Sequence, residues 1–394
     1  MNFRFVSAPT FEPWDHTNPN TVGIGGSETS HIEMSRRLCR RDHSVWSYAP
    51  IPGVAEFDDA GVVWIPSERY LDSTFGRGDV WIIYRAPHMV DQLPKDAIAW
   101  LICQDVDYPR QLTEERAKRF TRIIALCETH AAYLKARYPF VADRIFVSSN
   151  GIRSEFIAEL SPGTLISPEI RNSRRLMYAS SPDRGMEFLL DIFPRAKEIV
   201  PDLELHIYYG FDNIDKLKNE AVRKNAERLK EMTHQPGVTV HGRTPQPKLT
   251  SEWFKAGIWC HPSNFTETSC ITCMDAQACG AIPITQPVWA VGENVRHGIF
   301  IEGDVRSDLI RSRYVTEVVS LALDPERQQH IRSDMMPYAR ERFGWERFVD
   351  QWEAWARMDI ADPMPQGAAT RLSEGQPSAP GPRSIRTRPR EVTA

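Results

Sequence analysis

Short runs of β-branched and aromatic residues alternate with helical stretches along this chain, break off near residue 160, and then begin again. The first set of strand-like runs is Phe3–Ser7, Ser44–Tyr48, Val62–Ile65, Val80–Tyr84, Ile98–Cys103 and Arg122–Cys127. Helical stretches at Glu28–Arg41, Thr113–Arg119 and Thr129–Arg137 lie between several of them. The second set is Leu176–Ala179, Glu204–Tyr209, Val238–His241, Ile258–His261, Ile282–Thr285 and Ile299–Ile301. Helices are expected there over Met186–Val200, Asp215–Met232, Leu249–Lys255, Ile271–Cys279, Val315–Leu323 and Gln328–Arg342. Short buried strands interleaved with helices imply βαβ units and a mostly parallel sheet. Two such blocks predict an α/β protein with two doubly wound domains facing across a cleft. Ligands then bind beyond the carboxyl ends of the strands.

The break carries the turn Asn150-Gly151 and a polar stretch from Ser161 to Ser173. The expected division is residues 1–160, then 174–342, a helix over 343–360, and a disordered tail over 361–394. Trp345, Phe348, Trp352 and Trp355 recur on one helical face, which predicts a docking helix buried against a core. Pro363, Pro365, Pro377, Pro380, Pro382 and Pro389 sit among Gly, Ser, Gln and Arg, a composition that does not offset its ordering entropy by burial.

A length of 394 residues suits two domains, and 41% hydrophobic with 25% charged residues is an ordinary globular balance. Lys and Arg number 48 against 52 Asp and Glu, a formal charge of −4, which argues against a nucleic-acid binder. No apolar run approaches ~18 residues, so no spanning helix is expected. Met1-Asn2-Phe3-Arg4-Phe5 does not begin a secretory leader. Seven cysteines, an odd number, read as free thiols in a reducing cytosol. Arg371–Ala394 holds five Arg and two Glu, so contact with an anionic inner membrane surface is at most peripheral.

Three stretches offer chemistry. Gly23-Ile24-Gly25-Gly26-Ser27-Glu28 opens a helix, with Ser27 as a candidate cap. Its amides and dipole favour an anion, although an ordinary glycine loop before a capped helix reads the same way. Ser180-Ser181-Pro182-Asp183-Arg184-Gly185 places a cation at a helix start, where it opposes the dipole. A bound anion would satisfy both; a surface ion pair with Asp183 or Glu187 is the alternative. Phe265–Gly280 follows a strand and sets Glu267 in the loop and Asp275 on the next helix, about two turns from its start. Thr268, Ser269 and Cys270 add hydroxyls and helix-start amides. Cys270 and Cys273 form only one knuckle pair, which favours packed thiols over zinc. Gln104-Asp105 lies at a strand's carboxyl end. The dinucleotide fingerprint, the Walker A sequence and the nucleophile elbow are missing.

Together these residues resemble the retaining glycosyltransferases of family 4, which have the GT-B fold. The resemblance runs from Gly25 to about Trp355 and rests on Gly25-Gly26-Ser27-Glu28, Arg184-Gly185, Phe265–Gly280, Asn150-Gly151-Ile152 and the last aromatic helix. It implies a nucleotide-sugar donor, a UDP- or GDP-sugar, held mainly by the second domain. Gly25 and Gly26 would meet the diphosphate across the cleft, and Arg184, with Ser180 beside it, would neutralise it. Glu267 would bind donor sugar hydroxyls, Ser269, Cys270 and Ile271 would present amides, and Asp275 would hold the ribose in place of the usual Glu. Gly242 and Arg243 would lie beside the nucleobase. Gln104 stands where His is common and would hydrogen-bond a sugar. No metal or other cofactor is expected. The acceptor, a glycan, lipid or protein, would meet first-domain loops such as Phe11–Thr21 and Arg85–Met89. An epimerase of the same fold, or a noncatalytic nucleotide-sugar-binding protein, are the alternatives.

Overall fold

The computed structural model describes residues 1–8, 12–51, 53–71, 80–160, 171–211 and 219–362. Among them, eight strands form one sheet and six another. The first contains β1 (Asn2–Ser7), β2 (Ser44–Ala49), β3 (Glu56–Phe57), β4 (Val63–Pro66), β5 (Val80–Tyr84), β6 (Ile98–Ile102), β7 (Arg122–Ala125) and β8 (Ile145–Val147). Their order is β3-β4-β2-β1-β5-β6-β7-β8. The second contains β9 (Asn172–Tyr178), β10 (Glu204–Ile207), β11 (Val238–Val240), β12 (Ala256–His261), β13 (Ile282–Thr285) and β14 (Ile299–Phe300), ordered β11-β10-β9-β12-β13-β14. Neighbouring strands are parallel except the short edge pair β3–β4.

In chain order the helices are α1 (Asn18–Thr21), α2 (Gly26–Arg40), α3 (Glu114–Ala117), α4 (Glu128–Arg137), α5 (Ser154–Leu160), α6 (Met186–Ile199) and α7 (Glu220–Met232). They continue with α8 (Gln246–Trp253), α9 (Ile271–Cys279), α10 (Trp289–Asn294), α11 (Asp308–Ala322), α12 (Pro325–Phe343) and α13 (Trp345–Ala361).

Central strands such as β5 and β6 bury both faces, so each of these runs is apolar throughout while its side chains divide with period two. On β5, Val80, Ile82 and Tyr84 enter one core, and Trp81 and Ile83 the opposite one. On β6, Trp100 and Ile102 join the first, and Ala99 and Leu101 the second. The second sheet does the same: Leu176 and Tyr178 face α6, and Met177 faces α9.

The last helix returns to the first sheet. Trp345, Phe348, Val349, Trp352 and Ala356 of α13 are buried in the core that holds Phe3, Phe5 and Trp100. Asp359 fixes its far end, accepting Trp100 Nε1 at 2.8 Å and Arg122 Nε and Nη2 at 2.7 and 2.6 Å. The two chain crossings between the halves run side by side. Ile152 N–H donates to the Phe343 carbonyl at 2.8 Å, and Trp345 N–H to the Ile152 carbonyl at 3.2 Å.

Several elements differ from the sequence expectation. β3 and β8 were too short to show a pattern, and β3 is exposed. α11 begins at Asp308 rather than Val315, because its polar first turns are held by ion pairs such as Arg311–Asp191 at 2.7 Å. The cap of α2 is Gly25, which leaves Ser27 inside the first turn. Asp275 is one turn, not two, into α9. Most of the Ser161–Ser173 linker, the start of the Asp215–Met232 helix, Phe11 and the tail beyond Asp362 lie outside the described residues. No described helix is long and apolar enough to cross a membrane.

Replacing Asp359 with Ala strands the buried Arg122 charge and is expected to cost about 3–5 kcal/mol in urea unfolding. Asp350→Ala, which breaks the exposed 2.6 Å pair with Arg41, is expected to cost less than about 1 kcal/mol.

Candidate active site

In each sheet, two adjacent strands send the chain to opposite faces. β9 leads to α6 and β12 to α9, whose side chains fill different cores. β1 leads to α2, and β5 leads to Met89 and Val90 on the other face. The carboxyl ends at such a switch leave a crevice where ligands bind.

On the second sheet, the turn after β9 is tied by Tyr178 Oη donating to the Ser181 carbonyl at 2.6 Å and by Arg184 N–H donating to the same carbonyl at 2.9 Å. Ser180 is half-buried in this turn. Gly185 caps α6 with φ +94°, and a Cβ there would stand 2.2 Å from the Pro262 carbonyl oxygen. Glycine alone lets this turn press against the loop after β12. The Arg184 guanidinium lies 3.2 Å from the Phe265 ring centre, 3.6 Å from Glu267 Oε1 and 3.5 Å from Asp183. Thus Arg184 pairs with Asp183 but also with Glu267, while Glu187 pairs with Arg228. Burial pushes the Glu267 carboxyl up, Arg184 pulls it down, and Asp183 adds to the rise.

The next three residues bridge both halves. Thr268 Oγ1 donates to the Gln104 carbonyl across the cleft at 3.0 Å. The Ser269 hydroxyl is buried without a hydrogen-bond partner. Cys270 caps α9 at φ 59°, a conformation that costs a side-chain-bearing residue about 1–3 kcal/mol. Ile271 then reaches across: a Cβ on Gly26 would stand 3.3 Å from its Cδ1. The starts of α9 and α2 therefore approach each other, each with unsatisfied amides.

The first sheet supplies the opposite wall. Gln104 is engaged by Asn150 through two amide hydrogen bonds of 3.0 and 3.1 Å. Arg85, from the Arg85–Met89 loop, has φ 61° and donates Nε and Nη2 to Asp105 at 2.9 and 2.7 Å. At one end of the cleft, Gly242 has open space around it, and Arg243 crosses to Glu12 at 3.0 Å. His241 stacks on Tyr208 with ring centres 4.3 Å apart.

Asp275 is separate from this group. It is buried beneath the cleft, and burial pushes its carboxyl up to about 7 despite the nearby Arg153. Arg153 is itself committed to Glu33 at 2.6 Å and Asn20 at 2.8 Å. Cys270 and Cys273 are free thiols, and no three His, Cys, Asp or Glu residues converge as a metal site among the described residues.

The structure thus gathers Arg184, Glu267, Ser269, Cys270, Ile271, Gly25, Gly26 and the Gln104 backbone around one cleft, with Gly242 and Arg243 at its end. Arg85 belongs to the loop expected to meet the acceptor. α10 escaped sequence reading, because it spans six residues including Gly292, too few for a periodic signal.

Residues 173–312 match the family model described as Glycosyl transferases group 1. No curated protein matches the chain. Sucrose-phosphate synthase from Thermosynechococcus elongatus is 14% identical with a TM-score of 0.64, over 92% of this chain and 100% of that one. The catalytic domain of Arabidopsis thaliana starch synthase IV, bound to ADP and acarbose, is 11% identical with a TM-score of 0.65, over 91% and 99%. Anabaena HepE in complex with UDP and glucose is 14% identical with a TM-score of 0.63, over 91% and 100%.

The fold is GT-B. Its two Rossmann-like halves and returning α13 agree with the expected architecture.

Asp275 carries a pH signature. The unfolded chain ionises it near 3.8, whereas the folded chain holds the proton to about 7. Its contribution to stability is therefore full below about pH 4 and is lost as pH rises to about 7, a change of about 2–4 kcal/mol. Urea unfolding at pH 4.5, 6 and 7.5 is expected to show this loss in the wild type and a shallower one in Asp275→Asn.

Proposed function

We propose that this chain is a glycosyltransferase that moves a sugar from a nucleoside-diphosphate sugar to an acceptor hydroxyl with retention of anomeric configuration. The observation that carries the reading is the Arg184–Glu267 pair, 3.6 Å apart at the crevice of the second sheet, beside the α9 start whose Ile271 packs on Gly26 of α2. A cation and helix-start amides suit a diphosphate, and a half-buried carboxylate beside them suits sugar hydroxyls. The match of residues 173–312 to glycosyl transferases group 1 supports it. HepE was solved with UDP and with UDP-glucose, which favours a UDP-sugar, with a GDP-sugar as the other candidate.

In this reading the bond between the anomeric carbon and the diphosphate oxygen breaks. Arg184 and the amides starting α9 and α2, near Ile271 and Gly26, stabilise the growing charge in fixed positions. Ser180 and the Cys270 amide flank the same phosphates, and the Ser269 hydroxyl finds a partner there. Glu267 accepts hydrogen bonds from donor hydroxyls, which favours its ionised form against burial. The acceptor hydroxyl attacks from the leaving group's face and gives its proton to a donor phosphate oxygen. No protein base is needed, which fits the non-titrating Gln104. Gly242 and Arg243 border the nucleobase, the acceptor meets the Arg85 loop, and Asp275, buried beneath the cleft, makes no donor contact in this scheme. The scheme uses no metal, because Arg184 and the amides carry the phosphate charge.

Glu267→Gln is expected to lower transfer from a UDP- or GDP-sugar by about 10²–10³-fold while leaving the melting temperature near that of the wild type. Wild-type turnover in that variant would remove Glu267 from the site. Proton NMR of the product reads the anomeric outcome, and an inverted product would overturn the retaining scheme.

A further inference from the structure

α10 connects the donor loop to the opposite half of the molecule. At one end, Ala290 N–H donates to the Glu267 carbonyl at 3.1 Å. At the other, the buried Asn294 side chain donates to the Ser269 carbonyl at 2.6 Å. Between them, Glu293 reaches across the cleft to the start of α4. Its Oε2 accepts Glu128 N–H at 2.9 Å, and its Oε1 accepts Thr129 N–H at 2.7 Å. A carboxylate taking two first-turn amides satisfies orphan donors and the helix dipole together. Trp289 lies against the same helix, with ring centres 5.5 Å from Tyr133 and 6.0 Å from His130. It does so at φ 47°, a strained backbone for a bulky residue. Burial, and then the charge of Glu293, push the adjacent Cys127 thiol up to about 12.

One short helix thus holds both carbonyls that flank Thr268 and grips the first sheet's α4. We propose that Glu293 is a positioning residue: its hold on the α4 N-terminus sets the spacing of the two halves and passes that spacing through α10 to Glu267 and Ser269. The inference rests on the transferase reading for its catalytic consequence, but not for the contact itself. Opening the cleft pulls Glu293 from α4 and releases α10, so the loop that meets the donor sugar is fully placed only when the halves are closed. Thr268 reports the same closure through Gln104, from the other side of the loop.

The test compares full-length wild type, Glu293→Gln and Glu293→Ala. Gln keeps one of the two acceptor oxygens and removes the charge, and so guards against a misfolded Ala variant. Three readouts are taken: radius of gyration by small-angle scattering with and without UDP, melting temperature, and kcat and KM for the donor. The expected result is a larger radius of gyration for Ala than for Gln, and for Gln than for wild type, with melting temperatures close together. The kcat is expected to fall about tenfold in Ala, with the donor KM moving less than about threefold. A merely structural contact would move the melting temperature and leave this split absent. Unchanged radius and kcat in both variants would overturn the proposal, as would a lower kcat at an unchanged radius. If wild type turns over no UDP- or GDP-sugar, the transferase reading fails; the scattering series then stands alone in confirming or overturning the hold of Glu293 on α4.

Discussion

Two parallel strands that send the chain to opposite faces of a sheet cannot close the space between their carboxyl ends. Both sheets contain such a pair, β1 with β5 and β9 with β12, and the two crevices face each other. Everything of chemical interest follows from that constraint. Arg184 and Glu267 come from neighbouring strand ends on one side, and Arg85 and Gln104 from strand ends on the other, with Gly26 at the start of α2. Two of the contacts between the halves, Ile271 on Gly26 and Thr268 on Gln104, come from the site itself. The same residues therefore line the cleft and join the halves.

The helix that starts in the cleft is anchored at its far end. Three guanidiniums bond carbonyls at or just beyond the end of α9: Arg340 the Ala278 carbonyl at 3.0 Å, Arg171 that of Cys279 at 2.7 Å, and Arg332 that of Gly280 at 2.8 Å. Cations there complement the dipole whose positive end points at Cys270 and the cleft. The arrangement is costly: burial pulls Arg171 down to about 10 and Arg332 down to about 9. Three cations on one helix end, Arg332 buried and Arg171 and Arg340 half-buried, fix the direction of α9 and thereby where its first amides point. On the first sheet, α13 plays the holding role, with its aromatic face in the core and Asp359 locked to Arg122 and Trp100.

The fold was legible because parallel strands buried on both faces are continuous apolar runs. β5 and β13 match the expected ranges residue for residue, as does α9. The aromatic face of α13 was equally clear, since Trp345, Phe348 and Trp352 all bury on one side. The site was legible where a residue type contradicts its local setting, as with Arg184 at a helix start. What escaped were contacts between remote segments. Glu293 caps a helix 165 residues earlier in the chain, and no local pattern announces that. The loop that starts at Arg85 was expected to meet the acceptor, but its pair with Asp105 is made at a positive φ that a sequence does not display. Asp275 lies on the expected helix, but one turn rather than two from its start, and it is buried with Arg153 spoken for by Glu33 and Asn20.

The central claim is that the facing crevices hold a nucleoside diphosphate through Arg184. Thermal unfolding with UDP, GDP, ADP and CDP, in wild type and Arg184→Ala, tests it directly. A ligand at about a hundred times its Kd stabilises the folded state by about 2.7 kcal/mol, a readily measured rise in Tm. The account predicts that one nucleotide, UDP or GDP, raises the wild-type Tm and that Arg184→Ala loses most of the rise. No rise with any of the four at millimolar concentration, or an undiminished rise in Arg184→Ala, would contradict it.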